Sequence, residues 1–322
     1  MSAAEIADLY RRWARIEAHS SSVSYERLAL AVAEDPVAVA FLETMEPAKR
    51  QPNLLFGALR WHEVDVGDPP LALSWLHRHP DAVREVMGTR RTQTNEVARC
   101  ATLLPALTQL PEPLALIEVG ASAGLCLLYD IWRYHYTGTG VDHWVGPADS
   151  PVTVSCTVDG AVPLPNAVPD IVWRAGLDLN PIDARDPDAR RWLQCLVWPE
   201  HDDRARTLHA ALDVAAEVAP RIDSGDLVRD LPELLAQVPS DATVVVVHSA
   251  TLSQVEPHQR DVFMTMPARH GAYRLGAEGP KTLPRFVHQV PEGIEINGRF
   301  LVSLNEEVLA LAHPHGRTLA WL

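Results

Sequence analysis

The sequence contains few cysteines, and they are not spaced to hold a metal or a disulfide network. Its 322 residues include Cys100, Cys126, Cys156 and Cys195, and no two of these form a Cys-x-x-Cys pair. Zinc sites and disulfide-rich secreted domains are built from closely spaced cysteines, so this spacing argues against both. The simplest interpretation is four reduced thiols in a cytoplasmic protein that binds no metal.

Basic residues and long apolar runs are also scarce. Lysine and arginine number 28 against 42 aspartates and glutamates, which gives a formal net charge of −14. Such an acidic chain is poorly suited to bind a phosphate backbone, so we expect no nucleic-acid partner. No stretch approaches the roughly 20 apolar residues of a membrane span. The charged N-terminal residues are unlike a signal peptide. We therefore expect a soluble protein without a membrane partner.

The spacing of apolar residues predicts two regions. Residues 1–112 carry helical periodicity, starting with the capping box Ser2-x-x-Glu5 and continuing through the helix start Asp35-Pro36. In residues 113–322, apolar runs of strand length alternate with helical stretches, a pattern typical of a mostly parallel sheet with helices on both faces. The sequence predicts a Rossmann-like α/β domain preceded by a helical N-terminal region.

Two further features refine this α/β domain. Proline and glycine concentrate at about residues 137–169, which we interpret as an irregular insertion containing a small hairpin through Val152–Val158. The last 35 residues predict a closing antiparallel hairpin. Candidate strands of the sheet are Leu114–Val119, Asp170–Arg174, Thr243–Val247 and Ala272–Leu275.

A glycine-containing turn follows the first of these strands. The apolar strand Leu114–Val119, which carries Glu118 near its end, leads into Gly120 and Gly124, and the apolar run Leu125–Arg133 then predicts a helix. In a dinucleotide-binding loop, glycine would be expected at position 122, where the backbone approaches a pyrophosphate. Ser122 occupies that position and carries a Cβ, so a ligand without a pyrophosphate suits the turn better.

The same turn also matches the nucleophile elbow Gly-x-Ser-x-Gly of serine hydrolases, with Ser122 as the nucleophile. Such an enzyme needs an acid and then a histidine downstream of the serine. Asp226 or Asp261 could supply the acid, and His313 or His315 the histidine. Against this hypothesis, only helices are predicted upstream of the turn, and no His-Gly-Gly oxyanion stretch precedes it.

Polar residues at the ends of later strands are candidates for ligand contacts. Asp178 follows the second strand, where an acid can accept the two ribose hydroxyls of an adenosyl group. Asp226 precedes the next helix and could meet an adenine amine. Either acid could equally be a helix cap. His248 ends the run of valines Val244–Val247 and is the predicted general base.

Two polar segments lie outside these strand ends. The stretch containing Arg91, Asn95 and Glu96 is unusually polar for the start of an apolar helix, and these residues could border the ligand cleft. The acids near His201 could suggest a metal site, but consecutive side chains do not converge on one ion. We interpret that segment as the start of a helix whose N-terminus favours acidic residues.

Several of these motifs together resemble a known family. Over nearly its whole length the chain resembles the bacterial, largely actinobacterial, family of domains of unknown function numbered 2332. The motifs that carry the resemblance are Gln93-Thr-Asn-Glu-Val-Ala-Arg99, Ile117-Glu-Val-Gly-Ala-Ser-Ala-Gly-Leu125, Gly176-Leu-Asp-Leu-Asn-Pro-Ile-Asp183, Val197-Trp-Pro-Glu200 and His313-Pro-His-Gly316.

A weaker resemblance suggests a function. Glu118-x-Gly120-x-x-x-Gly124, with the later acids, is similar to the first motif of class I methyltransferases. Where those enzymes often carry an Asp/Asn-Pro-Pro-aromatic motif, this chain has His248-Ser-Ala-Thr251. The resemblance implies S-adenosylmethionine as cofactor, held by Glu118, Gly120, Ser122, Gly124, Asp178 and Asp226, and a small-molecule acceptor. The alternatives are a serine hydrolase and a non-catalytic binder of an adenosyl ligand.

Overall fold

The computed structural model describes residues 1–19, 21–93 and 95–322. Contacts divide the chain into two compact units. The helical unit comprises residues 1–94 with 185–209, and the sheet unit comprises residues 95–184 with 210–322. Residues 95–112 thus belong to the sheet unit, whereas the sequence pattern places them in the helical region. The segment 185–209 returns to the helical unit from within the α/β part of the chain.

The described residues form eleven α-helices and eleven strands. The helices are α1 (Ala3–Trp13), α2 (Val23–Glu34), α3 (Pro36–Glu43), α4 (Pro52–Trp61), α5 (Pro69–Arg78), α6 (Pro80–Thr89), α7 (Arg99–Leu107), α8 (Pro187–Leu196), α9 (Asp202–Val218), α10 (Leu231–Leu235) and α11 (Pro257–Arg269). The strands are β1 (Leu114–Val119), β2 (Arg133–Gly138), β3 (Val141–Val145), β4 (Thr153–Asp159), β5 (Ile171–Asp178), β6 (Ile222–Ser224), β7 (Thr243–Ser249), β8 (Tyr273–Glu278), β9 (Phe300–Leu304), β10 (Glu307–Ala312) and β11 (Thr318–Trp321).

Aspartate–proline pairs start several helices of the helical unit. Asp35 accepts a hydrogen bond from the Ala38 amide at the start of α3, and Asp68 accepts one from the Leu71 amide at the start of α5. The proline after each aspartate fits the first helical turn, because the amide it lacks has no partner there. The side-chain oxygen satisfies another amide of that turn. The chain therefore specifies where these short helices begin.

An aromatic core holds the helical unit together. Tyr25 packs against Phe56, with ring centroids 4.9 Å apart, and Trp198 packs against Trp13 at 5.4 Å. Glu200 accepts hydrogen bonds from the Ser22 hydroxyl and, at 2.8 Å, from the Ser24 amide in the first turn of α2. The acidic segment near His201 thus caps a distant helix, a role that the local sequence pattern does not reveal.

All eleven strands belong to one mixed sheet, in the order β3-β2-β4-β11-β10-β9-β8-β7-β1-β5-β6. Strands β6, β5, β1, β7 and β8 are parallel to one another. Numbered by their appearance in the chain, these five follow the doubly wound order 3-2-1-4-5. The sheet then continues through the antiparallel strands β9, β10 and β11. The predicted Rossmann-like sheet and the C-terminal antiparallel hairpin are confirmed.

Side chains of β1 face two different surroundings. Ile117 and Val119 join an apolar cluster with Leu234 of α10 and Phe263 of α11. Because neighbouring side chains point to opposite faces of a strand, Glu118 faces away from this cluster. Helix α7 contacts β8 and β9. All six residues of β1 are buried, as expected for a central parallel strand.

Two local predictions differ from the structure. The segment at 137–169 contains β3 and β4 rather than only irregular chain, and β4 pairs with β2 and β11 in parallel instead of forming a hairpin. After the glycine turn, only one 3₁₀ turn forms, at Leu125–Leu127, where the apolar run predicts an α-helix. The indole of Trp132 donates to the Leu125 carbonyl at 3.0 Å, so this run folds back on itself, and Leu125–Tyr129 and Trp132 are buried.

Candidate active site at the carboxyl ends of the parallel strands

The doubly wound order defines where a ligand site is expected. After β1 the chain adds β5 and β6 on one side, and later β7 and β8 on the other. Ligands of such sheets bind outside the carboxyl ends of the strands, at the point where the order reverses. That point lies between β1 and β7, and the glycine turn occupies the β1 side of it.

The glycine turn requires a left-handed backbone at three positions. Gly120, Ser122 and Gly124 have φ values of +74°, +52° and +72°. A Cβ built on Gly120 would lie 2.3 Å from Thr251 Oγ1, so the absence of a side chain lets the turn approach the end of β7. The Thr251 hydroxyl in turn donates to the Val119 carbonyl at 3.2 Å. This contact joins the two strand ends that flank the expected crevice.

Asp178, at the end of β5, holds the turn from the other side. Its Oδ2 accepts from the Ser122 amide at 2.9 Å, and its Oδ1 accepts from the Asn180 amide at 2.7 Å. The Ile182 amide donates to the Ser122 carbonyl at 3.0 Å. The structure therefore brings Asp178 and the glycine turn together, as the sequence predicts, and shows the carboxylate bound to the turn itself.

Asp226 occupies a capping position. Its Oδ1 accepts from the Val228 and Arg229 amides at 2.9 and 3.0 Å. Asp230 accepts from the Asp226 amide, and its pKa is held at about 2 by the adjacent Arg229 guanidinium and this amide. The loop after β6 is thus ordered by carboxylate–amide bonds, which is the capping role that the sequence leaves open for Asp226.

Glu118 and Ser122 are buried polar groups with unused hydrogen-bonding capacity. Glu118 is 3% exposed and Ser122 is 4% exposed. Within the described part of the chain, neither Glu118 Oε2 nor Ser122 Oγ has a hydrogen-bond partner. Burial, with smaller contributions from Cys126 and Asp178, raises the pKa of the Glu118 carboxyl well above its usual range. Buried polar atoms without partners are uncommon and often mark the place of a ligand.

His248 lies deeper than its position at a strand end suggests. Its side chain is completely buried; Nδ1 lies 3.0 Å from Glu278 Oε1, and Nε2 lies 3.3 Å from Arg274 Nη1. A Cβ on Gly276 would lie 2.2 Å from Nε2, so the ring packs directly on the backbone of β8. Both ring nitrogens face protein groups. A bound molecule could reach this ring only if these contacts opened.

Glu278 connects the buried His248 ring to the crevice. Its Oε1 also accepts from the Thr251 and Leu252 amides, each at 3.0 Å. Glu278 therefore fixes the loop that places Thr251 against Gly120. Sequence reasoning missed Glu278 and Thr251, although an acid at the end of a buried strand was a signal that could have found the first of them.

A second polar group surrounds the start of α7. Asn95 Nδ2 donates to the Ala121 carbonyl at 3.0 Å, and Asn95 Oδ1 accepts from the Leu125 amide at 3.2 Å. The Cys126 thiol donates to the Glu96 carbonyl. Asn95 and Glu96, predicted to border the cleft, thus lie against the glycine turn.

The loop between β10 and β11 reaches the same place. His315 Nδ1 lies 3.7 Å from Glu96 Oε2, and the Arg99 guanidinium donates from Nε to the Pro314 carbonyl at 2.9 Å. A Cβ on Gly316, whose φ is +73°, would lie 2.2 Å from the Ala98 carbonyl oxygen. The His-Pro-His-Gly motif is therefore tightly seated on the start of α7.

Arg91 differs from its predicted companions because it belongs to the helical unit. Its side chain is exposed, and its carbonyl accepts from the Trp192 indole at 2.7 Å within that unit. The neighbouring Arg90 guanidinium lies 4.0 Å from the centre of the Trp61 ring. These contacts anchor the segment before α7 within the helical unit.

The contacts of Ser122 bear on the hydrolase alternative. Among the described residues, no histidine forms a hydrogen bond with the Ser122 hydroxyl. Asp261 is exposed on α11, and Asp226 caps its own loop. The serine, acid and histidine of a hydrolase triad are therefore not joined by hydrogen bonds in this structure.

Several other features complete the description. A surface groove of about 580 Å³, lined by Thr108–Leu110, Glu112 and Pro163–Val168, lies beside the amino end of β1 rather than its carboxyl end.

In the described ranges, no group of His, Cys, Asp or Glu side chains is arranged to hold a metal. None of the helices in those ranges is both long and apolar enough to cross a bilayer.

The fold and the polar strand ends define a doubly wound α/β protein with a candidate small-ligand site at its switch point. A family model described as "Uncharacterized protein conserved in bacteria (DUF2332)" matches residues 7–321. The chain belongs to this family, as its sequence motifs suggest. Comparisons with curated proteins and with solved structures found no match.

Proposed function

We propose that this protein binds S-adenosylmethionine at the carboxyl ends of β1, β5, β6 and β7 and transfers its methyl group to a small molecule. The observation that carries the proposal is the glycine turn at the switch point of five parallel strands ordered 3-2-1-4-5. That order directs a ligand to this edge of the sheet.

The polar groups of the turn fit this cofactor better than a dinucleotide. Glu118 Oε2 and Ser122 Oγ offer unused hydrogen-bonding positions beside Gly120, where a side chain would collide with Thr251. An α-helix starting at the turn would favour a phosphate. Here one 3₁₀ turn takes its place, and an acid stands nearby. A cationic sulfonium with no phosphate suits such a site.

The residues that would hold the cofactor are Glu118, Gly120 and Ser122, with Asp178 and Asp226 ordering the loops around them. S-adenosylmethionine supplies an electrophilic methyl group. The chain's own contribution is to hold the reacting partners in line and to exclude water, since orientation alone can account for several kcal/mol of a reaction barrier.

A small acceptor and a cytoplasmic location complete the proposal. The net charge of −14 disfavours nucleic acid as acceptor. All four cysteines are buried and unpaired, which is compatible with a reducing compartment.

Calorimetry with S-adenosylhomocysteine tests the proposal, with NAD⁺ as the comparison ligand. We expect saturable binding of the first and none of the second. Glu118→Gln, which keeps the size of the side chain and its hydrogen-bonding positions, should alter affinity by less than about tenfold, whereas Glu118→Leu should abolish binding. Gly140→Ala, in an exposed turn with no atoms near the added methyl group, is the control variant. Absence of S-adenosylhomocysteine binding at millimolar concentration would overturn the proposal.

The hydrolase alternative is favoured by one observation, the left-handed Ser122 within Gly-x-Ser-x-Gly. A fluorophosphonate probe distinguishes the two functions because it labels only an activated serine. Stoichiometric labelling that disappears in Ser122→Ala would favour the hydrolase. S-adenosylhomocysteine binding without any methyl transfer would favour a non-catalytic adenosyl-ligand binder.

A further inference from the structure

We propose that a cationic group of the bound ligand displaces the proton of Glu118, so that binding at the glycine turn releases a proton to water. The inference rests on the proposed function and adds to it the charge that the ligand must carry beside Glu118. It follows from the burial of this carboxyl group, from the groups that surround it and from the hydrogen bonds that those groups already make.

The Glu118 carboxyl group is buried with one oxygen unsatisfied. Glu118 is 3% exposed, and its Oε2 has no hydrogen-bond partner in the described part of the chain. An ionised carboxylate is very costly to bury without a partner, and such a group retains a proton instead. In the free protein Glu118 is therefore a neutral acid.

The groups nearest to Glu118 in the sheet do not offset this effect. Burial is the main cause that raises the pKa of Glu118, and Cys126 and Asp178 raise it further. The residues paired with Glu118 in the two neighbouring strands are Gly176 of β5 and Val247 of β7, neither of which is charged. A second negative charge beside Asp178 is therefore unfavourable unless a cation joins the two acids.

The groups outside the sheet do not supply that cation. Arg99 of α7 acts to lower the pKa of Glu118, but its influence is smaller than that of burial. Its guanidinium donates to the Pro314 carbonyl at 2.9 Å and to the Ser249 carbonyl at 3.4 Å. Burial raises the pKa of the nearby Tyr129 well above its usual range, so this phenol is neutral. The positive charge that ionises Glu118 must therefore come from the ligand.

The proposed cofactor carries two such charges, an ammonium and a sulfonium. When either lies beside Oε2 of Glu118, the O–H bond of the carboxyl group breaks and its proton passes to water. The carboxylate that remains is paired with the positive charge, and the water-poor surroundings strengthen this attraction. Ser122 Oγ, which is also buried without a partner, offers a further acceptor to an ammonium.

Calorimetry in two buffers of different ionisation enthalpy, PIPES and Tris, counts the protons released per bound ligand. At pH 7 we expect S-adenosylmethionine to release about 0.5–1 proton. 5′-Methylthioadenosine carries neither cation and should release none. S-adenosylhomocysteine retains only the ammonium. Release with this ligand would identify the ammonium as the group beside Glu118, and release with S-adenosylmethionine alone would identify the sulfonium.

Two matched variants assign the proton to Glu118. Glu118→Gln should bind S-adenosylmethionine without releasing a proton, whereas the same change at the exposed Glu292 should leave the release unchanged. Between pH 6 and pH 8 the affinity of the native protein should rise by up to about tenfold per pH unit, and that of Glu118→Gln should stay nearly constant. At pH 7 the cost of removing the proton offsets most of the gain from the ion pair.

The unliganded protein gives a second readout. Folded Glu118 keeps a proton that the unfolded chain loses above the ordinary pKa of 4.5, so the stability that this neutral group contributes is lost as pH rises. Relative to Glu118→Gln, the unfolding constant of the native protein should increase by up to about tenfold per pH unit from pH 5 to pH 7. Urea denaturation at several pH values measures this difference.

The outcomes separate the two proposals. Stability curves with the same pH dependence in the native protein and Glu118→Gln would show that Glu118 is already ionised and would overturn the inference. Binding of S-adenosylmethionine without proton release, or with equal release from 5′-methylthioadenosine, would also overturn it and leave the cofactor proposal standing. These proton counts use the native protein and need no variant. Absence of binding by both S-adenosyl compounds would overturn both proposals.

Discussion

At the scale of single residues, Gly120 and Gly140 form a matched pair. Both have a left-handed backbone, with φ of +74° and +73°, but only at Gly120 would an added methyl group meet another side chain, that of Thr251. Alanine should cost about 1–2 kcal/mol at either position because of the backbone. At Gly120 the collision should add about 1–3 kcal/mol. Urea denaturation of both variants measures the difference, and equal losses would contradict the packing of Thr251 on the turn.

Asp178 and Asp226 differ in the number of carboxylate oxygens that accept hydrogen bonds. Asp178 accepts through both oxygens, whereas Asp226 accepts two amides through one. Asparagine has a single carbonyl oxygen, so it can replace Asp226 but not Asp178. We expect Asp178→Asn to lower the free energy of unfolding by about 1.5–3 kcal/mol and Asp226→Asn by less than about 1 kcal/mol. Chemical denaturation would contradict this if Asp226→Asn were the more damaging change.

At the scale of elements, the contact between β7 and β8 predicts a pH dependence. Burial lowers the pKa of His248 below its usual value of 6.5, against the opposing influence of Glu278 and with that of Arg274 in the same direction. The unfolded chain therefore binds a proton that the folded chain does not, so stability from the neutral ring is present above pH 6.5 and is lost as pH falls toward the lowered pKa.

The variant His248→Asn isolates this contribution. Relative to the variant, the native protein should lose about 1.4 kcal/mol per pH unit below pH 6.5 until its own pKa is reached. Asparagine keeps a donor that can face Glu278. Denaturation curves between pH 8 and pH 5 give the comparison. Parallel curves for the two proteins would show that His248 is not the group responsible.

Some of these elements could be predicted from the sequence alone, and others could not. The runs that became β1, β5, β7 and β8 are apolar and short, and β1 and most of β7 are buried, as expected for central parallel strands of an α/β domain. The run after Gly124 is equally apolar, but periodicity does not distinguish a buried helix from a buried turn. Its conformation depends on Trp132 and on β2, which are contacts that the local pattern does not contain.

The candidate active site shows the same limit of prediction from a local sequence pattern. Glu118, Gly120, Asp178 and Asn95 could be proposed from the sequence because strand ends and helix starts are visible in it. Glu96–His315 and Glu278–His248 join residues far apart in the chain, and only the sheet order brings them together. One sequence carries no record of such pairs.

At the scale of the whole sheet, protection of backbone amides should follow strand position. β1 lies between β5 and β7 and is buried throughout, whereas β3 and the three-residue β6 are the edges. Hydrogen exchange with mass spectrometry should find the slowest amides in β1 and β7 and the fastest strand amides in β6. Exchange of β1 as fast as that of β6 would contradict the strand order.

The placement of β11 has a consequence for synthesis of the chain. β11 lies between β4 and β10 and is the strand that joins the two ends of the sheet. β4 ends at Asp159, and β11 begins at Thr318, half the chain later. At the ribosome's usual rate, β4 remains without its neighbour β11 for on the order of ten seconds or more. The nascent protein therefore passes through a period in which an open strand edge invites pairing with other chains, and assistance from chaperones at that stage would raise its yield.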